Sequence, residues 1–223
     1  MIYLIKGADV YAPQPLGQQD ILLSGHRILN IAPSIEITGK DVVHIDADGC
    51  LITPGFVDSL VHFGGGGGEG GFHTRTPEMQ LTEATLAGVT TVIGALGTDA
   101  TTRSHADLLA KARGLSNEGL STYCYTGSYQ LPARTVTGTV TDDLILVDKF
   151  IGIGEVAIAD HRSSQPSVNE LARVASESRV GGMLSGKGGI VSIHVGDSDE
   201  QLRLLHQVIE QSDLPARQFY PTH

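Results

Sequence analysis

The sequence predicts an α/β fold, an incomplete (β/α)8 TIM-like barrel with about six of its eight strands, preceded by a small β-sandwich-type domain. Two observations lead to this prediction. Short apolar segments separated by turn residues fill the first fifty residues. From residue 51, strand-like segments alternate with helix-like ones at roughly 30 residues per unit, the spacing of a (β/α)8 barrel. We place the small β domain at residues 1–52 and the barrel at residues 53–223.

The first domain contains short apolar segments and no helix-period face. A hairpin turn is expected at Gly25–Arg27, between two of the strands. The predicted strands are Ile2–Ile5, Ile21–Ser24, Ile28–Ala32 and Val42–Asp46.

The barrel region offers both strands and helix start signals. Helix starts are predicted at Thr76-Pro77-Glu78, and at Ser167 and Ser198, which have capping-box spacing; a short helix is expected at Asp142–Val147. Gly88 should stop the first of these helices. The predicted strands are Leu51–Val57, Val89–Leu96, Ser121–Thr126, Phe150–Ile158, Ile190–Val195 and Gln218–Tyr220.

A six-stranded parallel barrel is not closed. The chain stops at His223, at the predicted end of strand six, and an open edge would expose unpaired backbone. We therefore interpret the chain as an incomplete polypeptide truncated after strand six. It would be a truncation, a nicked product or half of a split pair, with a C-terminal remainder chain as partner.

Composition narrows the functional classes. The 223 residues include 25 acidic and 15 Lys or Arg residues, a formal charge of −10, which argues against nucleic-acid and anionic-membrane partners. Two cysteines are too few for a disulfide framework. The N-terminus lacks the features of a signal peptide, and no stretch approaches the ~20 apolar residues of a membrane span. A soluble cytoplasmic protein is expected.

Four potential metal ligands occupy equivalent places in the barrel pattern. His62 follows the first strand, Glu155 lies within the fourth, and His194 and His223 end the fifth and sixth. The carboxyl ends of the strands form the active face of such barrels. Three histidines and one carboxylate there suit zinc or another borderline divalent ion. The remaining histidines considered are interpreted as ordinary surface residues: His26, His44, His105 and His206.

Two glycine-rich segments match nucleotide motifs only formally. Gly65, Gly67 and Gly70 fit G-x-G-x-x-G, but no helix opens on them. Gly181–Gly188 fits a P-loop until Gly188 replaces the residue that would bind magnesium. We interpret the first run as backbone that approaches a small ligand closely.

With these motifs in place, the chain resembles the isoaspartyl (β-aspartyl) dipeptidases of the amidohydrolase superfamily, specifically their N-terminal portion. The glycine run ending in Glu69 and the Asp160–Ser163 segment are the most distinctive matches. The matching segments run through the chain in the family's order: Pro54–Asp58, Val61–His62, Gly65–Glu69, Thr74–Glu78, Ala87–Thr90, Leu96–Asp99, Thr126–Tyr129, Asp160–Ser163, Glu177–Gly182 and Pro221–His223.

The resemblance implies a zinc metallo-dipeptidase that hydrolyses β-aspartyl dipeptides through a metal-bound hydroxide at a site for two zinc ions. Glu155 would replace a carboxylated lysine that bridges the metals, and His194 and His223 would complete the second metal site. His62 belongs to the first, whose other histidine is replaced here by Leu60. The Asp that completes this site and shuttles the proton would lie beyond residue 223, so the first zinc site is expected to be impaired.

The resemblance also implies residues that bind a small dipeptide. Glu69 would receive the free α-amino group and Arg162 a carboxylate, while Tyr129 would stabilise the oxyanion and act with Glu155 in catalysis. Gly67 and Thr98 would add further contacts. A homo-oligomer is implied as well, and so is a small β domain that is incomplete without C-terminal strands.

Alternative interpretations remain open. The chain is a catalytically impaired, non-catalytic fragment if Leu60 abolishes the first metal site. It is a related cyclic amidohydrolase or deacetylase if the substrate residues serve another purpose. If neither residue contacts substrate, the role of Arg162 is only to pair with Asp160 or another local acid. Tyr129 is then only a half-buried packing residue.

Overall fold

The computed structural model describes residues 1–223 and divides them into two compact units, residues 1–55 and 56–223. None of its helices combines the length and apolar character needed to cross a bilayer.

The first unit is a five-stranded mixed sheet in the order β3-β2-β1-β4, with β5 also pairing with β1. β1–β2 and β2–β3 are antiparallel, whereas β4 and β5 run parallel to β1. The predicted hairpin is confirmed, since Ser24 pairs with Arg27. The strands of this first unit are β1 Ile2–Tyr11, β2 Pro15–Ser24, β3 Arg27–Ala32, β4 Val42–Asp46 and β5 Leu51–Ile52.

A small apolar core and one buried carboxylate hold this unit together. Ala8, Val10 and Ile21 form the centre of the core with Ala47. Asp20 is also buried, and its two carboxylate oxygens accept backbone N–H bonds from Ile35 and Gly7, each at 2.9 Å. These bonds tie the segment after β3 and the bend in β1 to the same side chain.

The second unit confirms the predicted fold class. Its six strands form one parallel sheet in the order β11-β10-β9-β8-β7-β6, with helices between successive strands from β6 to β11. The strands are β6 Phe56–Val61, β7 Val89–Gly94, β8 Ser121–Thr126, β9 Phe150–Ala157, β10 Ile190–His194 and β11 Phe219–Pro221. The α-helices are α1 Leu81–Thr85, α2 His105–Asn117, α3 Val140–Leu146, α4 Val168–Ser185 and α5 Arg203–Gln211.

The parallel sheet curls until side chains of its two edge strands meet. The hydroxyl of Ser59 in β6 lies 2.9 Å from that of Tyr220 in β11, and Tyr125 in β8 donates to the Ser59 carbonyl at 3.3 Å. The curl brings the carboxyl ends of all six strands around one space, which is the geometry of part of a TIM barrel.

Several local signals are confirmed. Ser167 caps α4 in a full capping box with Glu170, and α3 occupies the segment predicted near Asp142–Val147. Gly186 ends α4 in the left-handed conformation. The false P-loop therefore consists of the last turns of a helix and its C-terminal cap.

Three boundary predictions are wrong. Leu51–Val57 is two separate strands, because Pro54 has no N–H for a ladder and the chain leaves one sheet to enter another. The first helix begins after Gln80, whose capping box with Glu83 replaces the start predicted at Thr76. The capping box at Ser198 does not form either, since Gln201 has a φ of 46° and α5 begins only at Arg203.

The buried Asp20 gives a stability prediction for the first unit. The N–H bond from Ile35, with those from Gly7 and Lys6, lowers the pKa of this carboxyl. Its contribution to stability is therefore complete above the unfolded-state pKa and is lost as the pH falls through the lower folded-state value. Asp20→Asn turns an amide N–H toward a backbone donor and should cost about 1–3 kcal/mol at pH 7.

Denaturant unfolding at pH 7 and at pH 3 tests this expectation. The difference between wild type and Asp20→Asn should shrink at the lower pH. Asp41→Asn, at an exposed position of the same unit, is the matched control and should leave the unfolding free energy unchanged. A difference of equal size at both pH values would contradict the role given to the ionised carboxylate.

Candidate active site

The predicted site residues gather at the carboxyl ends of the parallel strands. Glu155 lies inside β9 and His194 is the last residue of β10, while the others stand in the segments that follow a strand. These are His62 after β6, Thr98 after β7, Tyr129 after β8, Arg162 after β9 and His223 after β11. The β-α connectivity thus collects residues that lie as far as 161 positions apart in sequence.

A fully buried carboxylate stands at the centre. Oε1 of Glu155 lies 3.0 Å from Nδ1 of His194 and 3.6 Å from Nε2 of His223, and Oε2 lies 3.6 Å from Nε2 of His62. Oε2 is buried and has no hydrogen-bond partner. A carboxylate in this state is costly unless a cation accompanies it.

The histidine rings are turned so that nitrogen lone pairs face this carboxylate. Nδ1 of His62 lies 3.0 Å from the carbonyl oxygen of Ala95, and Nε2 of His194 lies 2.8 Å from Oδ2 of Asp160. Each of these contacts places the N–H of a neutral ring on the outer nitrogen. The inner nitrogen is left as an acceptor, the arrangement found in metal-binding histidines.

The donor atoms fit a divalent ion. The ligand atoms of Glu155, His194 and His223 lie within 4.8 Å of one another, and the unpartnered Oε2 lies on the other side of the same carboxylate, toward His62. Imidazole nitrogens with one carboxylate suit zinc and similar borderline ions. His223 is largely exposed, so this cluster opens to solvent on one side.

Leu60 lies on β6, two residues before His62, and is partly buried. Its side chain carries no donor atom for a metal. The carboxylate oxygen without a partner is the one that faces His62. The half of the cluster that includes His62 is therefore poorer in ligands than the half that includes His194 and His223.

Beside the cluster, Glu69 joins two of the predicted substrate residues. Its Oε1 accepts the Thr98 hydroxyl at 2.8 Å and lies 3.3 Å from Nη1 of Arg162. A bond from its own backbone N–H, followed by the one from Thr98, lowers the pKa of Glu69. The carboxylate thus remains negative in the neutral range.

Arg162 is held against the cluster by Asp160 and Tyr129. Its Nε and Nη2 donate to the two oxygens of Asp160 at 2.9 and 2.6 Å, and its guanidinium lies 5.3 Å from the centre of the Tyr129 ring. The Tyr129 hydroxyl is 3.0 Å from Nδ1 of His194. Burial, together with the charge of Glu155, raises the pKa of Tyr129, so the phenol stays a neutral donor.

The glycine run is held by a residue that the sequence reasoning missed. Arg103, near the start of α2, is buried and donates to the carbonyls of Gly66 and Gly67 at 2.8 and 3.1 Å. Gly67 has a φ of 65°, and a Cβ atom there would lie 2.8 Å from the Thr74 carbonyl oxygen, which explains the glycine. The signal available in the sequence was one arginine close after a glycine-rich loop, which is too weak to select it.

The prediction that His105 is a surface residue is wrong. The first turn of α2 packs its ring against Phe150, where it is buried and its Nε2 lies 2.9 Å from the Gly127 carbonyl oxygen. Burial lowers the pKa of this histidine. His105 therefore serves the loop that leads to Tyr129 rather than the solvent-exposed face.

Known proteins resemble this chain in fold and, to different degrees, in sequence. No family model matches the chain. A solved β-aspartyl dipeptidase of Fervidobacterium islandicum AW-1, in complex with β-Asp-Leu, is 46% identical with a TM-score of 0.96 over 100% of this chain and 58% of its own. A second structure of that enzyme gives the same identity and TM-score and is covered to 61%.

Other known proteins match this chain in fold alone or over only part of its sequence. A D-hydantoinase from Thermus sp. is 18% identical with a TM-score of 0.59 over 94% of this chain and 43% of its own, which establishes likeness of fold alone. Dihydroorotases of Staphylococcus aureus N315 and Staphylococcus epidermidis ATCC 12228 are 43% and 39% identical over 90 and 89 residues. The chain spans 20% of these curated relatives and 40% of its own length is matched.

These matches confirm the resemblance to the isoaspartyl dipeptidases and to the amidohydrolase superfamily. The dipeptidase, hydantoinase and dihydroorotase neighbours are all hydrolases. Because the chain spans less than two thirds of each of these relatives, activity, substrate and partners do not follow from the matches by themselves.

The contacts of Arg103 give a prediction for the glycine loop. Lysine cannot span both carbonyls, so Arg103→Lys should remove one hydrogen bond between a charged side chain and the loop and cost about 1.5–3 kcal/mol of stability. Amide hydrogen exchange should accelerate in residues 64–76 and remain unchanged in β8 and β9. Arg113→Lys, on the exposed face of the same helix, is the control. Equal exchange in the loops of both variants would contradict this role.

Proposed function

We propose that this chain provides the metal-binding and dipeptide-binding residues of a metal-dependent β-aspartyl dipeptidase, with zinc as the preferred ion. The observation that carries the proposal is the buried Glu155 carboxylate, which has one unpartnered oxygen and three imidazoles turned toward it. The 46% identity to an enzyme solved with β-Asp-Leu supports the choice of substrate.

In this proposal, Glu155, His194 and His223 hold one divalent ion, and His62 with Oε2 of Glu155 contributes to a second position. A bound divalent ion supplies Lewis-acid activation of water and of the scissile carbonyl. Glu155 would serve as a ligand through Oε1 on the side of His194 and His223, and its Oε2 is available on the side of His62. Its burial excludes water from the carboxylate and strengthens its interaction with a cation.

An acidic and a basic side chain beside this cluster can bind the charged groups of a dipeptide. Glu69 and Arg162 are 3.3 Å apart, so a zwitterionic dipeptide can exchange this ion pair for two of its own. The α-ammonium group would bind Glu69, and a carboxylate would bind Arg162. The loop around Gly67 brings backbone groups close to the same place, and Thr98 fixes the Glu69 carboxylate.

Tyr129 suits stabilisation of negative charge on the carbonyl oxygen of the scissile bond. Its hydroxyl lies within the cluster, and its raised pKa keeps the proton on the phenol at neutral pH. A neutral O–H donor already positioned by packing is what such stabilisation requires.

Two other functions are favoured by specific observations. Leu60 and the unpartnered Oε2 favour a protein that binds one metal ion without turnover. The identity to dihydroorotases over 90 residues favours hydrolysis of a cyclic amide. Such an enzyme would share the metal ligands but has no need for Glu69, Arg162 and Tyr129 together.

Metal content and turnover separate these functions. The chain should be assayed with β-Asp-Leu and with dihydroorotate, alone and together with any C-terminal remainder chain, after zinc content has been measured. Turnover of β-Asp-Leu supports the proposal. One tightly held zinc ion without turnover favours the non-catalytic function, and turnover of dihydroorotate alone favours the cyclic-amide function.

The first metal position gives a more specific prediction. Leu60→His should raise zinc content by up to one equivalent, because it adds a nitrogen ligand on the strand that carries His62. Metal analysis after equilibrium dialysis is the measurement. Leu86→His, on an exposed residue outside the site, is the matched control. Equal zinc content in wild type and Leu60→His would show that residue 60 does not face the metal.

Glu69 gives a prediction for substrate binding. Glu69→Gln removes the charge that faces the ammonium group and should raise KM for β-Asp-Leu roughly 10- to 100-fold, since a hydrogen bond to a charged group contributes about 1.5–3 kcal/mol. Zinc content should stay the same, because Glu69 is not among the ligands. The exposed Glu118→Gln is the control. An unchanged KM would remove Glu69 from the binding site.

A further inference from the structure

A second buried carboxylate lies next to the cluster formed by Glu155 and the three histidines. Asp160 follows β9, five residues after Glu155, and is 5% exposed. Its Oδ1 accepts the backbone N–H of Arg162 at 2.7 Å and Nε at 2.9 Å. Its Oδ2 accepts Nη2 of Arg162 at 2.6 Å and lies 2.8 Å from Nε2 of His194.

We propose that Asp160 is a positioning residue that fixes two groups at once, the ring of His194 as a metal ligand and the guanidinium of Arg162 as a substrate contact. This inference rests on the proposed function, since it assigns roles within the same site. The shared carboxylate makes metal binding and substrate binding depend on one side chain.

The effect on His194 follows from the chemistry of imidazole. A neutral ring carries a single N–H, and Asp160 binds it at Nε2. Nδ1 is then an acceptor, and it lies 3.0 Å from Oε1 of Glu155. Two acceptors at this distance repel one another unless a cation lies between or near them. Asp160 therefore gives the ring the tautomer that a metal ion needs.

The effect on Arg162 follows from the use of its donors. Nε and Nη2 form a fork on Asp160, so the guanidinium plane is fixed and Nη1 is directed toward Glu69 at 3.3 Å. A substrate carboxylate thus meets the Nη1 edge. Without Asp160, the guanidinium would be free to rotate and to pair with Glu69 through either edge.

Zinc affinity of the 223-residue chain tests the first effect. Asp160→Asn keeps the size of the side chain but can present an N–H to His194 Nε2, which favours the wrong tautomer. Its dissociation constant for zinc, measured by competition with a chelator, should rise about 10- to 100-fold. Asp213→Asn is the matched control at an exposed position of the same unit and should bind zinc as wild type does.

Binding of β-Asp-Leu to the metal-free chain tests the second effect. Asp160→Asn should weaken this binding roughly tenfold, in line with the loss of an ordered charged fork. In an Arg162→Lys background the same substitution should no longer affect dipeptide binding, whereas its effect on zinc should persist. Loss of both effects in that background would overturn the shared role, because Asp160 would then act through Arg162 alone.

A measurement on wild type covers the case in which Asp160→Asn does not fold. Nitrogen-15 NMR of the zinc-loaded chain should show His194 protonated at Nε2 and metal-bound at Nδ1, with a His194→Asn variant to assign the signal. Zinc on Nε2 would overturn the inference. Zinc affinity equal in wild type and Asp160→Asn would overturn it while leaving the proposed function intact, and a wild-type chain that binds no zinc would overturn both.

Discussion

The burial of Glu155 is the constraint on which the rest of the site depends. Its carboxylate belongs to the parallel strand β9, whose other residues are all apolar or glycine. An isolated charge in that position is strongly unfavourable. Nitrogens of His62, His194 and His223 lie 3.0–3.6 Å from it, and the outer contacts of His62 and His194 leave lone pairs facing it. The site is organised around a negative charge that the protein itself only partly balances.

The two oxygens of this carboxylate are not equivalent. Oε1 faces His194 and His223, whereas Oε2 faces His62 and lacks a hydrogen bond. The position two residues before His62 is a leucine. This leucine of β6 and the unsatisfied oxygen of Glu155 in β9 thus both belong to the His62 side of the cluster. The His62 side of the cluster therefore has fewer donor atoms than the side of His194 and His223.

The parallel fold and the cluster could be predicted from the sequence because both follow from the repeated alternation of strands and helices. Strands alternating with helices fix which ends meet, so His62, Glu155, His194 and His223 converge whatever the loops do. Loop-borne features depend on contacts far apart in sequence, which local signals do not contain. Arg103 donates to the carbonyls of residues 36 and 37 positions earlier, and His105 at the start of α2 is covered by Phe150 of β9. The helix start at Thr76 failed for the same reason, since that hydroxyl bonds to Gly66 in the glycine loop instead.

Acidic and basic side chains form one continuous series of contacts from Glu155 to Glu69. Glu155 contacts His194, His194 contacts Asp160, Asp160 binds Arg162, and Arg162 reaches Glu69. Acids alternate with His194 and Arg162, and Arg162 binds an acid on each side, whereas the single N–H of a neutral His194 is directed to Asp160. A cation at Glu155 would relieve the repulsion between its Oε1 and Nδ1 of His194, while Asp160 keeps the N–H of the ring. A zwitterion added at the other end would separate Arg162 from Glu69. Both ligands could therefore bind while the contacts of Asp160 to His194 and Arg162 stay intact, which is the electrostatic condition for binding both.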